Sequence, residues 1–149
     1  MTQLQKPFKI GSVTLPNSVV MAPLTRMRAF QGRAPGDLQV THYRQRAGAG
    51  LILTEATSVS PQGVGYPNTP GIWSDEQVAG WKRVTEAVHA AGGHIAVQLW
   101  HVGRISDPEL LDGQLPVAPS AIAPEGQVAV LRPKRDYTVP RALETAEIA

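Results

Sequence analysis

Three apolar runs in this chain share one layout, with hydrophobic residues first and hydrogen-bonding side chains last. They are Val19-Val20-Met21-Ala22-Pro23-Leu24-Thr25-Arg26, Leu51-Ile52-Leu53-Thr54-Glu55-Ala56-Thr57 and Ala96-Val97-Gln98-Leu99-Trp100-His101-Val102-Gly103-Arg104. Near-continuous apolar strands are needed when helices cover both sides of a parallel sheet. Their polar ends then gather at the carboxyl edge of the sheet, where α/β folds build their sites.

The segments between the runs read as helices. Val40, Tyr43 and Ala47 fall at helical spacing over residues 38–47, and Gly48 and Gly50 close that stretch. Ser74 is an N-cap, and Gln77 three residues on completes a capping box. The face of this second helix is Val78, Trp81, Val84, Ala87 and Val88, and Gly92-Gly93 ends it. Strands are predicted over 18–22, 51–55 and 94–99, with starts about 32 and then about 44 residues apart, the period of a β/α barrel or a doubly wound sheet. Before them, Phe8, Ile10, Val13 and Leu15 alternate around Gly11-Ser12 as a small hairpin.

Loops take up the rest. Residues 26–37 contain Gly and Pro and read as a loop. The stretch 58–71 is too long for a mere connector and reads as functional. Residues 104–139 form a Pro-rich excursion, with 128–131 as a candidate strand in a lid hairpin. Thr145 reads as the N-cap of a third helix, with Glu147 suited to its dipole. On that reading the chain stops within a first helical turn, as a chain cut inside a domain would.

Composition narrows the function classes. The 149 residues suit one core and one domain. Hydrophobic content of 42% against 17% charged argues against disorder. No membrane span and no secretory signal core are expected, and a cytoplasmic location fits. The absence of cysteine excludes disulfides, thiolate ligands and thiol nucleophiles within this chain. Arg132, Lys134 and Arg135 read as a solvated loop rather than a nucleic-acid patch. No two histidines stand at a metal-ligand spacing with a carboxylate, so no metal site is expected. Gly63-Val64-Gly65 matches neither a phosphate loop nor a dinucleotide fingerprint.

Five motifs in order give the chain a resemblance. Met21-Ala22-Pro23-Leu24-Thr25-Arg26, Thr54-Glu55-Ala56-Thr57, Gly65-Tyr66, Pro70-Gly71-Ile72-Trp73-Ser74 and Val97-Gln98-Leu99-Trp100-His101-Val102-Gly103-Arg104 resemble the old yellow enzyme family of FMN-dependent ene-reductases. The likeness is weakest over 114–139. It implies a β/α (TIM) barrel with a hairpin across its bottom and FMN at its carboxyl-terminal mouth. Of that barrel, this chain would supply the hairpin and about the first three β/α units, and the remainder would be needed to close it. Members run to more than twice this length. Their later part supplies a His-Asn or His-His pair for the substrate carbonyl, a Tyr proton donor and the FMN-phosphate ligands, and nothing in this chain resembles those.

The resemblance also implies roles for residues. Thr25 corresponds to a Thr that hydrogen-bonds the flavin O4 and tunes its potential; read alone, it is a loop-capping hydroxyl. Pro23 and Leu24 would line the ring, and Ala56 would pack its backbone against it. Gln98 is an amide in an apolar strand, where burial without partners would cost a few kcal/mol. By resemblance it pairs with the flavin pyrimidine edge; otherwise the neighbouring backbone would satisfy it. Tyr66, Trp100 and Arg141 would shape the substrate pocket, the alternative for both aromatics being core packing. Glu55 is a weaker choice for a general acid than for a structural hydrogen bond. No catalytic proton-transfer residue is expected within this chain.

The implied reaction takes hydride from NADH or NADPH through FMN to the β-carbon of an α,β-unsaturated carbonyl compound or nitroalkene. The implied partners are the remainder of the barrel and the small alkene, with no nucleic acid and no membrane; a homodimer is one assembly the chain allows. The rival reading is a stand-alone, non-catalytic fragment or flavin-binding module. An open sheet edge with unpaired backbone groups counts against it.

Overall fold

In the computed structural model, residues 3–29 and 31–148 are described. Phe30, within the expected 26–37 loop, and Ala149, within the expected third helix, lie outside them. The chain forms two compact units. The first comprises Met1–Thr57 with Asn68–Leu99, and the second Ser58–Pro67 with Trp100–Ala149.

The first unit opens with the hairpin read from the alternation. β1 (Phe8–Ile10) and β2 (Val13–Leu15) pair antiparallel with Ile10 opposite Val13, and Gly11 takes a φ of 56° in the turn. Next come β3 (Val20–Met21), α1 (Asp37–Arg44), β4 (Leu51–Ser58), α2 (Asp75–Ala90) and β5 (Ile95–Trp100). β3, β4 and β5 lie side by side in that order. β3 and β4 are parallel, with Val20 opposite Leu51 and Met21 opposite Ile52. The bonds from Ile52 N–H to His94 O (2.8 Å) and from Gln98 N–H to the Thr54 hydroxyl (3.1 Å) ascend both chains together, so β5 is parallel too. Consecutive parallel neighbours joined through helices are the β/α progression anticipated from the spacing.

Local signals fixed α2. The Ser74 hydroxyl accepts the Gln77 N–H, and the Gln77 side chain accepts the Ser74 N–H, closing the capping box. Trp81, Val84 and Val88 are buried with Tyr43, Ala47 and Ile52 in one core cluster, and Met21, Val40, Ile72 and Ile95 pack against it. Each large side chain buried there contributes roughly 1.5–3 kcal/mol. Val78, expected on this face, is 51% exposed. The α1 contact lies one position further round, where Gly80 meets Pro35 and Gln77 takes the buried place.

Several boundaries move. α1 ends at Arg44, short of the expected Ala47, and closes in turns. β4 runs on to Ser58, three residues past the expected end, because Thr54 to Ser58 are all buried.

In the second unit the expected strand over 128–131 does not form. Those residues turn, with Val128 and Leu131 buried and a single antiparallel bridge joining Gln127 to Asp136. The small sheet is instead β6 (Val117–Ala118) with β7 (Arg141–Ala142), in parallel. Apolar packing of the 128–131 side chains satisfied the pattern without a ladder. The helix expected at Thr145 is one turn of 3-10 helix, Thr145–Glu147, and the cap is Glu144, whose N–H is accepted by the Glu147 carboxylate at 2.7 Å.

Candidate flavin-binding edge

The carboxyl ends of β3, β4 and β5 carry the first unit's candidate residues. After β3, Pro23 is half-buried, Leu24 is 64% exposed, and Thr25 is exposed. On β4, Ala56 is buried next to Glu55. On β5, Gln98 is exposed, and its main-chain N–H is held by the Thr54 hydroxyl. Gln98 lies on β5, an outer strand of the three-stranded sheet formed by this chain. An exposed hydroxyl, an exposed primary amide and an apolar Leu side chain are thus offered at the carboxyl end of parallel strands.

Behind this edge stands Glu55, 1% exposed. Its Oε2 accepts the Arg26 N–H at 2.8 Å, its own N–H donates to the Tyr43 hydroxyl at 2.8 Å, and its carbonyl accepts the hydroxyls of Thr54 and Thr57, both at 2.9 Å. Burial pushes its carboxyl up, while the Arg26 and Met27 N–H groups and the Arg26 and Arg28 charges pull it part of the way back. A cavity of about 180 Å3 lies beside it, lined by Arg26, Arg28, Leu38, Gln39, His42 and Glu55. The structural hydrogen bond read from the sequence is present. Tyr43 was visible in the sequence only as an apolar helix position, and no local signal announced that its hydroxyl would meet a strand.

The second unit holds the other candidates. The Tyr66 and Trp100 rings lie 5.2 Å apart at 40°, both half-buried. Gly65 lets the Tyr66 loop close down, since a Cβ there would stand 2.6 Å from both Ile105 O and Val102 Cγ2. Arg141 is exposed on β7 and grips Glu147 with both terminal nitrogens at 2.8 Å. Arg135 is not merely solvated. It makes a two-pronged contact to Asp107 (2.9 and 2.6 Å) and reaches Glu109 at 2.6 Å. Its partners lie more than two dozen residues away, beyond the reach of any local pattern.

Parallel strands joined through helices, with hydrogen-bonding groups at their carboxyl ends, correspond to the opening units of a β/α barrel, a fold whose enzymes carry their sites at that end. The chain belongs to the NADH:flavin oxidoreductase / NADH oxidase family, which it matches over residues 3–149. FMN and a nicotinamide are the cofactors of that class. The chain is 46% identical over 143 residues to the flavin oxidoreductase hxnT of Emericella nidulans, covering 89% of this chain and 37% of that one. It is 45% identical to the putative 12-oxophytodienoate reductase 4 of Oryza sativa subsp. japonica, over 97% of this chain and 37% of that one. Among solved structures it superposes on morphinone reductase in complex with tetrahydroNAD with a TM-score of 0.90 at 54% identity, over 99% of this chain and 42% of that one. The old yellow enzyme homologue from Zymomonas mobilis gives 0.91 at 46%, over 99% and 41%. The chain therefore spans about 40% of the length of these relatives and corresponds to a partial barrel.

Proposed function

We propose that this chain is the cofactor-tuning beginning of an FMN-dependent ene-reductase, active when the remainder of the barrel is present. The observation that carries this reading is the exposed set Leu24, Thr25 and Gln98 at the carboxyl ends of parallel strands. A flavin has flat apolar faces and a polar rim that both donates and accepts, so these side chains fit it. Bound FMN would supply hydride transfer from NADH or NADPH to an activated C=C bond.

The chain's own residues would hold and tune that group. The Thr25 hydroxyl donates to the flavin carbonyl rim and favours the reduced form. The Gln98 amide both donates and accepts at the pyrimidine edge. Pro23, Leu24 and the Ala56 backbone line the ring. In the second unit, Tyr66 and Trp100 offer paired aromatic faces to a planar conjugated substrate, and Arg141 edges that pocket. Relatives named as reductases of 12-oxophytodienoate, chanoclavine-I aldehyde and morphinone support an α,β-unsaturated carbonyl or nitroalkene as substrate.

The test is purification of the whole protein, release and identification of its flavin, and anaerobic NADH or NADPH oxidation with cyclohexenone or a nitroalkene. FMN in near-equal ratio with the protein, and alkene-dependent oxidation, are expected. A colourless, well-behaved protein would favour the non-catalytic module. Flavin without alkene reduction would remove the substrate assignment.

A further inference from the structure

The backbone of the loop that follows Thr25 is held by Glu55 and by the Arg28 guanidinium, which donates to the Arg26 and Met27 carbonyls. Met27 takes a φ of 54°, in the left-handed region that a side-chain-bearing residue enters only under constraint. A left-handed residue turns successive N–H groups towards one point, and such a nest is suited to an anion. Here the anion is a side chain of the same unit. The Arg26 N–H donates to Glu55 Oε2 at 2.8 Å, the neighbouring Met27 N–H pulls the same carboxyl down, and Oε1 has no hydrogen-bond partner. The backbone that carries this carboxylate is fixed, because the main-chain N–H and C=O of Glu55 are tied to Tyr43, Thr54 and Thr57. Glu55 thus transmits the position of β4 to the two residues immediately after Thr25.

We propose that Glu55 is the positioning residue for Thr25: its carboxylate, bonded to the Arg26 N–H beside the left-handed Met27, sets the loop so that the Thr25 hydroxyl is presented at the sheet edge. This rests on the reading of Thr25 as a flavin-tuning hydroxyl. Glu55 acts through the loop and not on the cofactor. The two residues then behave as one unit, and their effects on the flavin are not additive.

The midpoint potential of FMN in the flavin-loaded whole protein tests this. Thr25→Ala removes a donor to the flavin rim and lowers the potential. Glu55→Leu, which keeps the volume and removes the acceptor, lowers it in the same direction and weakens FMN binding by about tenfold, the size of a lost hydrogen bond to a charged group. Glu55→Gln retains an acceptor oxygen and restores the potential most of the way. The double variant Thr25→Ala/Glu55→Leu shows no further drop beyond Thr25→Ala. A direct effect of the Glu55 charge has the opposite sign, because losing a negative charge raises the potential equally in the Leu and Gln variants. An unmoved or raised potential in Glu55→Leu, no rescue by Gln, or additive shifts in the double variant would each overturn the role of Glu55 while leaving Thr25 in place. An unmoved potential in Thr25→Ala overturns the flavin reading of Thr25, and this proposal with it. If Glu55→Leu does not fold, Glu55→Asp, which retracts the carboxylate by one methylene, carries the same expectation of a lowered potential.

Discussion

The hydroxyl of Thr54 accepts the main-chain N–H of Gln98 at 3.1 Å, so a buried side chain of β4 is bonded to the backbone of β5. The same hydroxyl donates to the Glu55 carbonyl at 2.9 Å. Thr54→Val keeps the shape and removes both bonds. A loss of about 1–3 kcal/mol is expected, with reduced FMN content, while Thr54→Ser retains both. Chemical unfolding and flavin stoichiometry of the whole protein would check this, and a Val variant as stable as the Ser variant would refute it.

Gln98 itself offers a cleaner test of the cofactor edge, because it is exposed and lies outside the first unit's core cluster. Gln98→Leu is expected to leave thermal stability of the flavin-free protein within about 0.5 kcal/mol, as surface changes do. FMN retention during gel filtration is expected to fall. Unchanged retention together with an unchanged potential would remove Gln98 from the site.

Gly80 should reverse an ordinary rule. In an open helix Gly→Ala gains about 1 kcal/mol. A Cβ on Gly80 would stand 2.6 Å from the carbonyl oxygen of Pro35, against the backbone leading into α1. Gly80→Ala is therefore expected to cost about 1–3 kcal/mol by overpacking. A rise in melting temperature would show that the Pro35 segment yields freely.

The second unit should show an acid-dependent stability term at Asp107, whose side chain is 3% exposed. Burial pushes its carboxyl up, but the Arg135 hydrogen bonds, the Glu109 N–H and the Arg135 charge outweigh burial and hold it below the usual aspartate range. A lowered folded value means that the folded form binds this proton less readily than the unfolded chain does. The contribution is therefore complete above the unfolded value of about 3.9 and is lost as the pH falls through the lowered folded value. Asp107→Asn should cost about 1–2 kcal/mol near neutral pH, at the modest end because Arg135 is 46% exposed. It should also flatten the stability curve in acid. Urea unfolding from neutral pH downward measures both, and parallel curves would refute the assignment.

Local order was legible where the physics is local. The Ser74–Gln77 box needs only one helical turn to form, and the β1–β2 hairpin only its own alternation and Gly11. The 128–131 run shows the limit of such patterns. Val128 and Leu131 are buried, as the pattern asks, but Ala129 is exposed and the run turns instead of pairing, while Val117–Ala118 finds a partner in Arg141–Ala142.

The sequence by itself determined the β/α order, the helix α2 and, through five motifs in register, the family. It also placed Thr25, Ala56 and Gln98 at strand ends, because strand ends are marked by where apolar runs stop. The tertiary structure alone decided what those ends touch. Glu55 meets the Arg26 N–H across 29 residues, Thr54 meets Gln98 across 44, and Arg135 meets Asp107 across 28. Hydrogen bonds of that reach exist only after the sheet and loops have brought their partners together. Residue type can supply the donors and acceptors in advance, but only the fold selects which of them pair.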